Sequence, residues 1–258
     1  MFFKTIDFSK YSSIKVGQET EVLMIEKKDL IPSDRYLIGG ANNLLVSPNP
    51  LPLMMLSKDF SYIREEGGML IIGAAMPTGR IVSYAKKHDI SGFEFCSKLP
   101  GTLGGMLAMN AGVKKYEIFN ILDSIEINGK WISKDAIEYG YRFAALSGFA
   151  TAAKFKMVKG FDKTLLEELL SLRSNQPHDP SAGSAFKNPE GDYAGRLIEA
   201  VGLKGYRKGD MAWSDVHSNF LVNLGKGKFD DAKYLIDLAK QKVLKEFNIA
   251  LKEEIKIL

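Results

Sequence analysis

The sequence predicts an α+β fold in two parts, a larger N-terminal domain and a smaller C-terminal one. Its 258 residues exceed the ~150 of an average domain, and 45% hydrophobic with 26% charged residues is typical of a globular chain. Between Glu21 and Lys159, short β-rich runs alternate with helical segments, and the loop Ser174–Pro180 has the prolines and small polar residues of a linker. We therefore expect a first domain over 1–160, built of two α+β subdomains, and a second over 161–258.

The strands of the first domain are predicted from short β-rich runs bounded by Gly, Pro, Asn or Asp. These runs are Glu21–Ile25, Tyr36–Ile38, Leu44–Val46, Met69–Gly73, Ile121–Ile127 and Ala152–Met157. One helix is predicted from Thr78, which we expect to be its N-cap, to His88, and a short buried helix from Gly105 to Asn110.

The second domain is predicted from longer periodic segments. An amphipathic helix within Gly160–Arg173, with leucines at helical spacing, precedes the linker. The elements after the linker are a helix over Gly191–Val201, a strand over Asn219–Leu224, a long helix over Phe229–Phe247 and a final strand over Leu251–Leu258.

Charge and cysteine usage exclude several classes of function. The 35 Lys and Arg residues outnumber the 31 Asp and Glu residues by only four, and they are spread along the chain, so we expect no nucleic-acid partner. The single cysteine, Cys96, cannot form an intrachain disulfide or a thiolate zinc site, and we predict that it is a small buried residue. The three histidines are dispersed without metal-ligand spacing, so no metal is expected.

Hydropathy and the first residues predict a cytoplasmic protein. No stretch reaches the ~18 uninterrupted apolar residues of a membrane helix, so no membrane partner is expected. Lys4 and Asp7 lie where a signal peptide would carry an apolar run.

The segment Arg35–Val46 contains a glycine-rich turn between two apolar runs. The consecutive amides around Gly39 and Gly40 could form a nest for a pyrophosphate, with Asn42 or Asn43 in the left-handed region. A plain turn between strands explains the same residues equally well. The segment is not a Rossmann fingerprint, because it has no third glycine and no helix follows.

The segment Leu99–Gly112 is a second glycine-rich stretch. Pro100–Gly101 predicts a turn, Thr102 can cap a helix, and Gly104–Gly105 leaves no side chain at the helix start, where amides could face an anion or a flat ring. Tight helix packing is the alternative. A third pattern, Gly225–Asp231, is rejected as a nucleotide loop because its two aspartates would repel a phosphate.

The loop Asn175–Pro189 concentrates the polar side chains of Ser184, Lys187 and Asn188 within five residues, as a polar substrate requires. A capped turn is the alternative. The loop has no G-x-S-x-G elbow, and Ser184 has no neighbouring His or Asp, so acyl-enzyme chemistry is not expected.

Together, these segments resemble the UDP-N-acetylenolpyruvoylglucosamine reductase family, also called the UDP-N-acetylmuramate dehydrogenases. The matching strings follow the family's order over nearly the whole chain: Gly39–Leu45, Leu99–Gly105, Asn110–Gly112, Tyr141–Arg142, Ser181–Pro189, Ala194–Ile198, Gly202–Gly205 and His217–Phe220. The Ser181–Pro189 string is highly specific, whereas the glycine turns are shared with other flavoproteins of the vanillyl-alcohol oxidase fold. The chain departs from the family at Ala41 and Asn42, where Gly and Ser are usual.

The resemblance implies an FAD-binding domain of the vanillyl-alcohol oxidase (PCMH) type followed by a smaller substrate-binding domain. It implies non-covalent FAD, NADPH as co-substrate and reduction of a UDP-sugar enolpyruvyl ether to UDP-N-acetylmuramate for peptidoglycan, in a bacterial cytoplasm. The sequence does not give the oligomeric state, for which a monomer is favoured. Two alternatives stay open: another FAD-dependent oxidoreductase of this fold, and a non-catalytic UDP-sugar binding module.

Site residues are implied by position in the family's motifs. Ser184 would donate a proton to the substrate carbon, and Arg142 with Glu254 would polarise the substrate carboxylate. The residues implied for substrate binding are Tyr141, Lys187, Asn188 and Arg173. The residues implied for the flavin are Gly39, Gly40, Ala41, Asn42, Asn43, Leu44, Pro100, Gly101, Thr102, Gly104, Gly105 and Asn110.

The choice of Glu254 conflicts with strand parity. Alternation along a final strand places Glu253 on the apolar face of Leu251 and Ile255, and Glu254 on the opposite face. The family motif has its glutamate immediately before a β-branched residue, which selects Glu254.

Overall fold

The structure, a computed structural model, describes residues 1–171 and 176–258. The chain forms two compact units. The first consists of Met1–Lys4, Val22–Gly40 and Pro52–Ser174, and the second of Thr5–Glu21, Ala41–Leu51 and Asn175–Leu258.

This division differs from the predicted boundary at residues 160 and 161. Leu169, on the helix expected to open the second domain, is buried in the core of the first unit, and Ile14 and Leu45 are buried in the core of the second. Apolar packing between segments far apart in sequence therefore sets the units.

The described residues contain strands in the following order. They are β1 (Phe2–Asp7), β2 (Glu19–Ile25), β3 (Tyr36–Leu37), β4 (Leu44–Leu45), β5 (Leu53–Leu56), β6 (Ile63–Glu66), β7 (Met69–Gly73), β8 (Gly112–Val113), β9 (Tyr116–Glu117), β10 (Leu122–Ile127), β11 (Lys130–Ser133), β12 (Tyr139–Gly140), β13 (Phe143–Ala144), β14 (Ala150–Lys156), β15 (Ser181–Ser184), β16 (Arg207–Lys208), β17 (Met211–Trp213), β18 (Phe220–Asn223) and β19 (Lys256–Ile257).

Helices lie between these strands. They are α1 (Phe8–Tyr11), α2 (Thr78–Lys87), α3 (Leu103–Ala108), α4 (Ile118–Ile121), α5 (Lys163–Ser171), α6 (Ala194–Ala200) and α7 (Phe229–Phe247), with 3₁₀ turns at Lys58–Phe60, Glu94–Lys98 and Lys134–Ala136. The predicted α+β class is confirmed.

The first unit contains an antiparallel sheet in the order β11-β10-β14-β7-β6. Leu70, Ile125 and Phe155 of this sheet are buried in one apolar core, which also contains residues of α2 and α3. A second sheet has the order β1-β2-β5-β3, in which β5 runs parallel to β2 and β3. Strand β7 lies where it was predicted, whereas β1, β5, β6 and β11 were not predicted.

The helix α2 begins at the predicted Thr78, but the threonine is not its cap. Pro77 occupies the N-cap position, and the Thr78 hydroxyl donates instead to the carbonyl of Leu99. This bond fixes the start of α2 to the second glycine segment.

The second unit contains an antiparallel sheet in the order β15-β18-β17-β16. The helix α7 has the predicted bounds and buries Ala232, Leu235, Ala239 and Val243 at helical spacing. The helix predicted over Gly191–Val201 is shorter, since α6 spans only Ala194–Ala200.

The predicted final strand over Leu251–Leu258 is wrong in extent. Only Lys256–Ile257 is strand, and it pairs in parallel with β4. The chain bends at Glu254 and Ile255 because the amides of both donate to the carbonyl of Ala185, at 2.9 and 3.3 Å. Strand parity therefore does not apply at these residues.

Three further findings bear on function. Among residues 1–171 and 176–258, no helix is long and apolar enough to cross a bilayer. In the same ranges, no group of His, Cys, Asp and Glu side chains is placed to hold a metal ion. Cys96 is buried, as predicted, and burial raises the pKa of its thiol.

Candidate functional site

The first glycine turn places its left-handed residue one position earlier than predicted. Ala41, with φ +50°, takes this conformation, and neither Asn42 nor Asn43 has a positive φ. The path of the chain through this turn places residue 41 in the left-handed region, which alanine tolerates less well than glycine.

Hydrogen bonds within the second unit hold Ala41 and the residues that follow it. The Ser13 amide donates to the Ala41 carbonyl at 3.2 Å, and the Ser13 hydroxyl donates to the Asn42 carbonyl at 3.2 Å. The Asn43 side-chain amide donates to the Glu254 carbonyl at 2.9 Å, while Leu44 pairs with Lys256.

Gly39 approaches the second glycine segment within the first unit. A Cβ added at Gly39 would lie 2.6 Å from Thr102 Oγ1 and 3.9 Å from the Gly105 nitrogen, so no side chain fits there. At Gly105 an added Cβ would meet only Thr102 Oγ1, at 3.8 Å. The missing side chain at Gly39 thus lets the two glycine segments pack closely, while Gly105 has space around its Cα. A hydroxyl and backbone without side chains are groups that suit the expected phosphate or flat ring, and the flavin contacts of these residues stay a prediction.

At Gly104, near the start of α3, the structure supports the alternative of tight helix packing. A Cβ at Gly104 would lie 3.2 Å from the Ala74 carbonyl oxygen. The amides of Leu103 and Gly104 already donate to the carbonyls of Met76 and Ala74, at 3.0 and 2.8 Å. The expectation that the first amides of this helix face a ligand is therefore wrong for these two.

The turn Pro100–Gly101 connects to α2. Gly101 has φ +114°, a conformation that favours glycine, and its carbonyl accepts from the Thr78 amide at 3.0 Å.

Asn110 is fully buried, and its side chain is engaged by the protein. Nδ2 donates to Glu117 Oε2 at 2.7 Å and to the Gly140 carbonyl at 3.0 Å, and Oδ1 accepts from the Phe119 amide at 3.2 Å. The side chain thus joins three segments of the first unit, and its predicted role toward the flavin stays a prediction.

Tyr141 and Arg142 form the two-residue turn between β12 and β13. Arg142 has φ +54°, its Nη2 donates to the Gly112 carbonyl at 2.9 Å, and its guanidinium lies 5.2 Å from the centroid of the half-exposed Tyr141 ring. The guanidinium therefore contacts an aromatic ring and one backbone carbonyl, and its planar fork of donors is of the kind that recognises carboxylates.

Ser184 ends the irregular strand β15. The register of β15 against β18 shifts between Ser181 and Ser184, and Gly183 has φ +78° in open space. This β-bulge turns the partly exposed Ser184 to the face of its partner Phe220. Among the described residues, none hydrogen-bonds to the Ser184 hydroxyl.

The backbone beyond Ser184 lies beside Glu254, within the second unit. The Ala185 carbonyl accepts from the Glu254 amide at 2.9 Å, and the Lys187 amide donates to the Lys252 carbonyl at 2.9 Å. The fold therefore brings together two of the three predicted catalytic residues on neighbouring segments.

Glu253 has a different environment from Glu254. Its Oε1 accepts from Lys240 Nζ on α7 at 2.7 Å. Burial alone would raise the pKa of Glu253, but the hydrogen bond of Lys240, a backbone hydrogen bond and the charges of Lys240 and Lys233 together outweigh burial, so the pKa is lower than usual. Glu253 is thus bound to a structural helix.

The remaining predicted substrate residues are placed as follows. Asn188 Oδ1 accepts from the Ala194 amide at 3.1 Å and so satisfies the first amide of α6, although Tyr193 occupies the N-cap position; this is close to the capped turn that the alternative interpretation expects. Lys187 is partly exposed. Arg173 lies outside the described residues.

One buried residue beside Ser184 was not predicted. The Asn219 side chain bonds to both polar backbone groups of Phe186. The sequence singled out the string His217–Phe220, but gave no sign that its asparagine points inward.

Two cavities of ≈ 360 and ≈ 430 Å³ lie elsewhere in the first unit. They share Ser91, Gly92, Asn120 and Ile121, and no residue predicted for cofactor or substrate lines either one. The candidate site is therefore defined by the predicted residues rather than by these cavities.

Comparison with known proteins gives consistent results. Residues 176–258 match the family model described as UDP-N-acetylenolpyruvoylglucosamine reductase, C-terminal domain. The UDP-N-acetylenolpyruvoylglucosamine reductase of Helicobacter hepaticus is 48% identical over 257 residues, covering 98% of each chain. That of Helicobacter pylori strain 26695 is 45% identical over the full length of both chains.

A solved structure has the same overall fold. The crystal structure of UDP-N-acetylenolpyruvylglucosamine reductase from Thermus caldophilus matches with a TM-score of 0.86 and 30% identity. The match covers 100% of this chain and 99% of that one.

Proposed function

The chain belongs to the UDP-N-acetylenolpyruvoylglucosamine reductase family of enzymes, and we propose that it reduces UDP-N-acetylglucosamine enolpyruvate to UDP-N-acetylmuramate with NADPH. Non-covalent FAD is the proposed cofactor, and the bacterial cytoplasm, where peptidoglycan precursors are made, is the proposed location. The observation that carries the proposal is the specific Ser181–Pro189 string, folded so that the segment after Ser184 hydrogen-bonds to Glu254.

Cofactor binding is assigned to the glycine segments, in a domain of the vanillyl-alcohol oxidase type within residues 1–160. Gly39, Thr102 and Gly105 supply bare backbone and a hydroxyl where a phosphate or ring can approach. FAD held by these residues would supply the hydride-transfer chemistry between NADPH and the vinyl carbon of the substrate.

Substrate binding is assigned to residues 161–258, with a contribution from the Arg142 turn. Reduction adds a hydride to one vinyl carbon and a proton to the other, so the protein must stabilise negative charge beside the substrate carboxylate and deliver the proton. Arg142 and Glu254 polarise the carboxylate, and the Ser184 hydroxyl gives its proton to the carbon. Tyr141 and Lys187 bind the sugar or phosphates.

The test separates the two half-reactions under anaerobic conditions. NADPH should bleach the flavin of Ser184→Ala at the wild-type rate, because that step needs no proton at the substrate carbon. Re-oxidation by the enolpyruvyl substrate should slow by ~10²-fold or more. Ser181→Ala, in the same strand, is the matched control and should re-oxidise normally.

Three results would contradict the proposal in different ways. Equal slowing of both half-reactions by Ser184→Ala would make the serine structural. Faster re-oxidation of wild-type protein by other acceptors would favour another flavin oxidoreductase. Protein purified without flavin, and unable to bind added FAD, would favour a UDP-sugar binding module.

A further inference from the structure

Asn219 holds the segment that follows Ser184. Its Oδ1 accepts from the Phe186 amide at 3.0 Å, and its Nδ2 donates to the Phe186 carbonyl at 2.8 Å. Its own carbonyl accepts from the Ala185 amide at 2.8 Å. With 3% of its surface exposed, Asn219 pairs with this segment as a neighbouring strand would.

The two side-chain hydrogen bonds of Asn219 to Phe186, the Asn219 clamp, lie where the regular pairing of β15 with β18 ends. Ser184 is the last residue of β15 paired with β18, opposite Phe220. Beyond it, the Ala185 carbonyl accepts from the Glu254 amide, so the clamped segment is bound to Asn219 on one side and to Glu254 on the other. Displacing this segment would shift Ser184 and Glu254 relative to each other.

We propose that Asn219 is a positioning residue that sets Ser184 against Glu254 for the reduction; this role rests on the proposed function. The Asn219 side chain acts through the backbone of Phe186 and has no direct part in the chemistry. A misplacement of about 1 Å at reacting groups costs on the order of 10²-fold in rate, so loss of the clamp should slow the proton-transfer half-reaction specifically.

The chemistry requires a carboxamide of this length. Asparagine offers one donor and one acceptor to two buried backbone groups, whereas aspartate offers only acceptors and would face the Phe186 carbonyl with negative charge. Asn219→Gln keeps both groups but sets them one methylene further out. It serves as the second variant if Asn219→Asp does not fold.

Asn223, at the end of the strand β18 that begins directly after Asn219, provides the matched control. It is 2% exposed and also clamps backbone: Nδ2 donates to the carbonyls of Ile14 and Lys15, both at 3.1 Å, and Oδ1 accepts from the amides of Gly225 and Gly227. Asn223→Asp removes a comparable buried donor four residues further along the chain and leaves the contacts of Phe186 in place.

The experiment combines hydrogen exchange with anaerobic kinetics on the flavin-loaded full-length chain. Aspartate keeps the acceptor for the Phe186 amide, but its charge repels the Phe186 carbonyl and should displace the segment. Exchange at the Phe186 amide, followed by NMR, should therefore accelerate in Asn219→Asp but not in Asn223→Asp. Bleaching by NADPH should match wild type in both variants. Re-oxidation by UDP-N-acetylglucosamine enolpyruvate should slow ~10²-fold in Asn219→Asp, with substrate affinity changed less than about threefold, and Asn219→Gln should lie between it and wild type.

Each contrary result has a defined meaning. Re-oxidation slowed alike by Asn219→Asp and Asn223→Asp would reduce Asn219 to a general stabilising residue and overturn the positioning role. Unimpaired re-oxidation despite faster exchange at Phe186 would overturn it as well. Wild-type protein that is not re-oxidised by the enolpyruvyl substrate would instead overturn the proposed function, and the positioning role with it.

Discussion

The adjacent residues Glu253 and Glu254 should respond differently to substitution by glutamine: one change should affect stability and the other turnover. Glu254 is held through its backbone, by its amide on Ala185 and its carbonyl on Asn43, both at 2.9 Å. Glu254→Gln keeps size and backbone contacts and removes only charge. If the carboxyl group stabilises the transition state, kcat should fall ~10²–10³-fold while substrate affinity changes little.

Glu253→Gln should affect stability rather than turnover. Its partner Lys240 lies 2.7 Å away, but the two side chains are 31% and 40% exposed, so solvent screens the pair. Loss of such a pair costs about 0.2–1 kcal/mol in the free energy of unfolding. Turnover should stay within about a factor of two, because Lys240 belongs to a packed helix rather than to the site.

The assay is anaerobic re-oxidation of NADPH-reduced enzyme by the enolpyruvyl substrate, with urea unfolding on the same preparations. Lys240→Met is the control for the pair and should reproduce the stability loss of Glu253→Gln. A larger kinetic defect in Glu253→Gln than in Glu254→Gln would refute the assignment. Normal re-oxidation in both would leave Arg142 and Ser184 to support the chemistry without a carboxylate.

Two further predictions concern the cofactor and pH. Gly39→Ala should weaken FAD binding at least ~10-fold, because the added Cβ would lie 2.6 Å from Thr102 Oγ1, whereas Gly79→Ala, in open space on α2, should bind FAD normally; fluorescence titration of released flavin measures both. Burial lowers the pKa of His217 below 6.5, so below pH 6.5 the unfolded chain takes up a proton that the folded chain does not. Stability should therefore fall on acidification from pH 7 to 5.5, and by less in His217→Asn. Equal losses in thermal melts of both proteins would contradict this.

Local sequence patterns predicted those elements whose conformation does not depend on particular contacts with distant residues. Met69–Gly73 and Phe229–Phe247 have the predicted bounds because a continuous apolar run and a helical apolar stripe each identify one buried element. The resemblance selected Ser184 and Glu254, which the fold places on neighbouring segments.

Features set by distant residues were not predictable. The bend at Glu254 arises from one carbonyl, that of Ala185, which alternation along the local sequence does not reveal. The left-handed conformation falls on Ala41, although propensity favours its asparagine neighbours. The inward role of Asn219 depends on pairing with Phe186. Each outcome is a tertiary contact overriding a local preference.

The pairing of β4 with β19 constrains the order in which a nascent chain can fold. Asn43 bonds to Glu254 across 211 residues of sequence, and Leu44 and Leu45 find their partners only at Lys256 and Ile257. During synthesis, Leu44 and Leu45 leave the ribosome long before Lys256 and Ile257, so the β4–β19 pairing cannot form until those later residues have emerged. Such long-range closure is slow, so the second unit cannot be completed vectorially from its N-terminal segments.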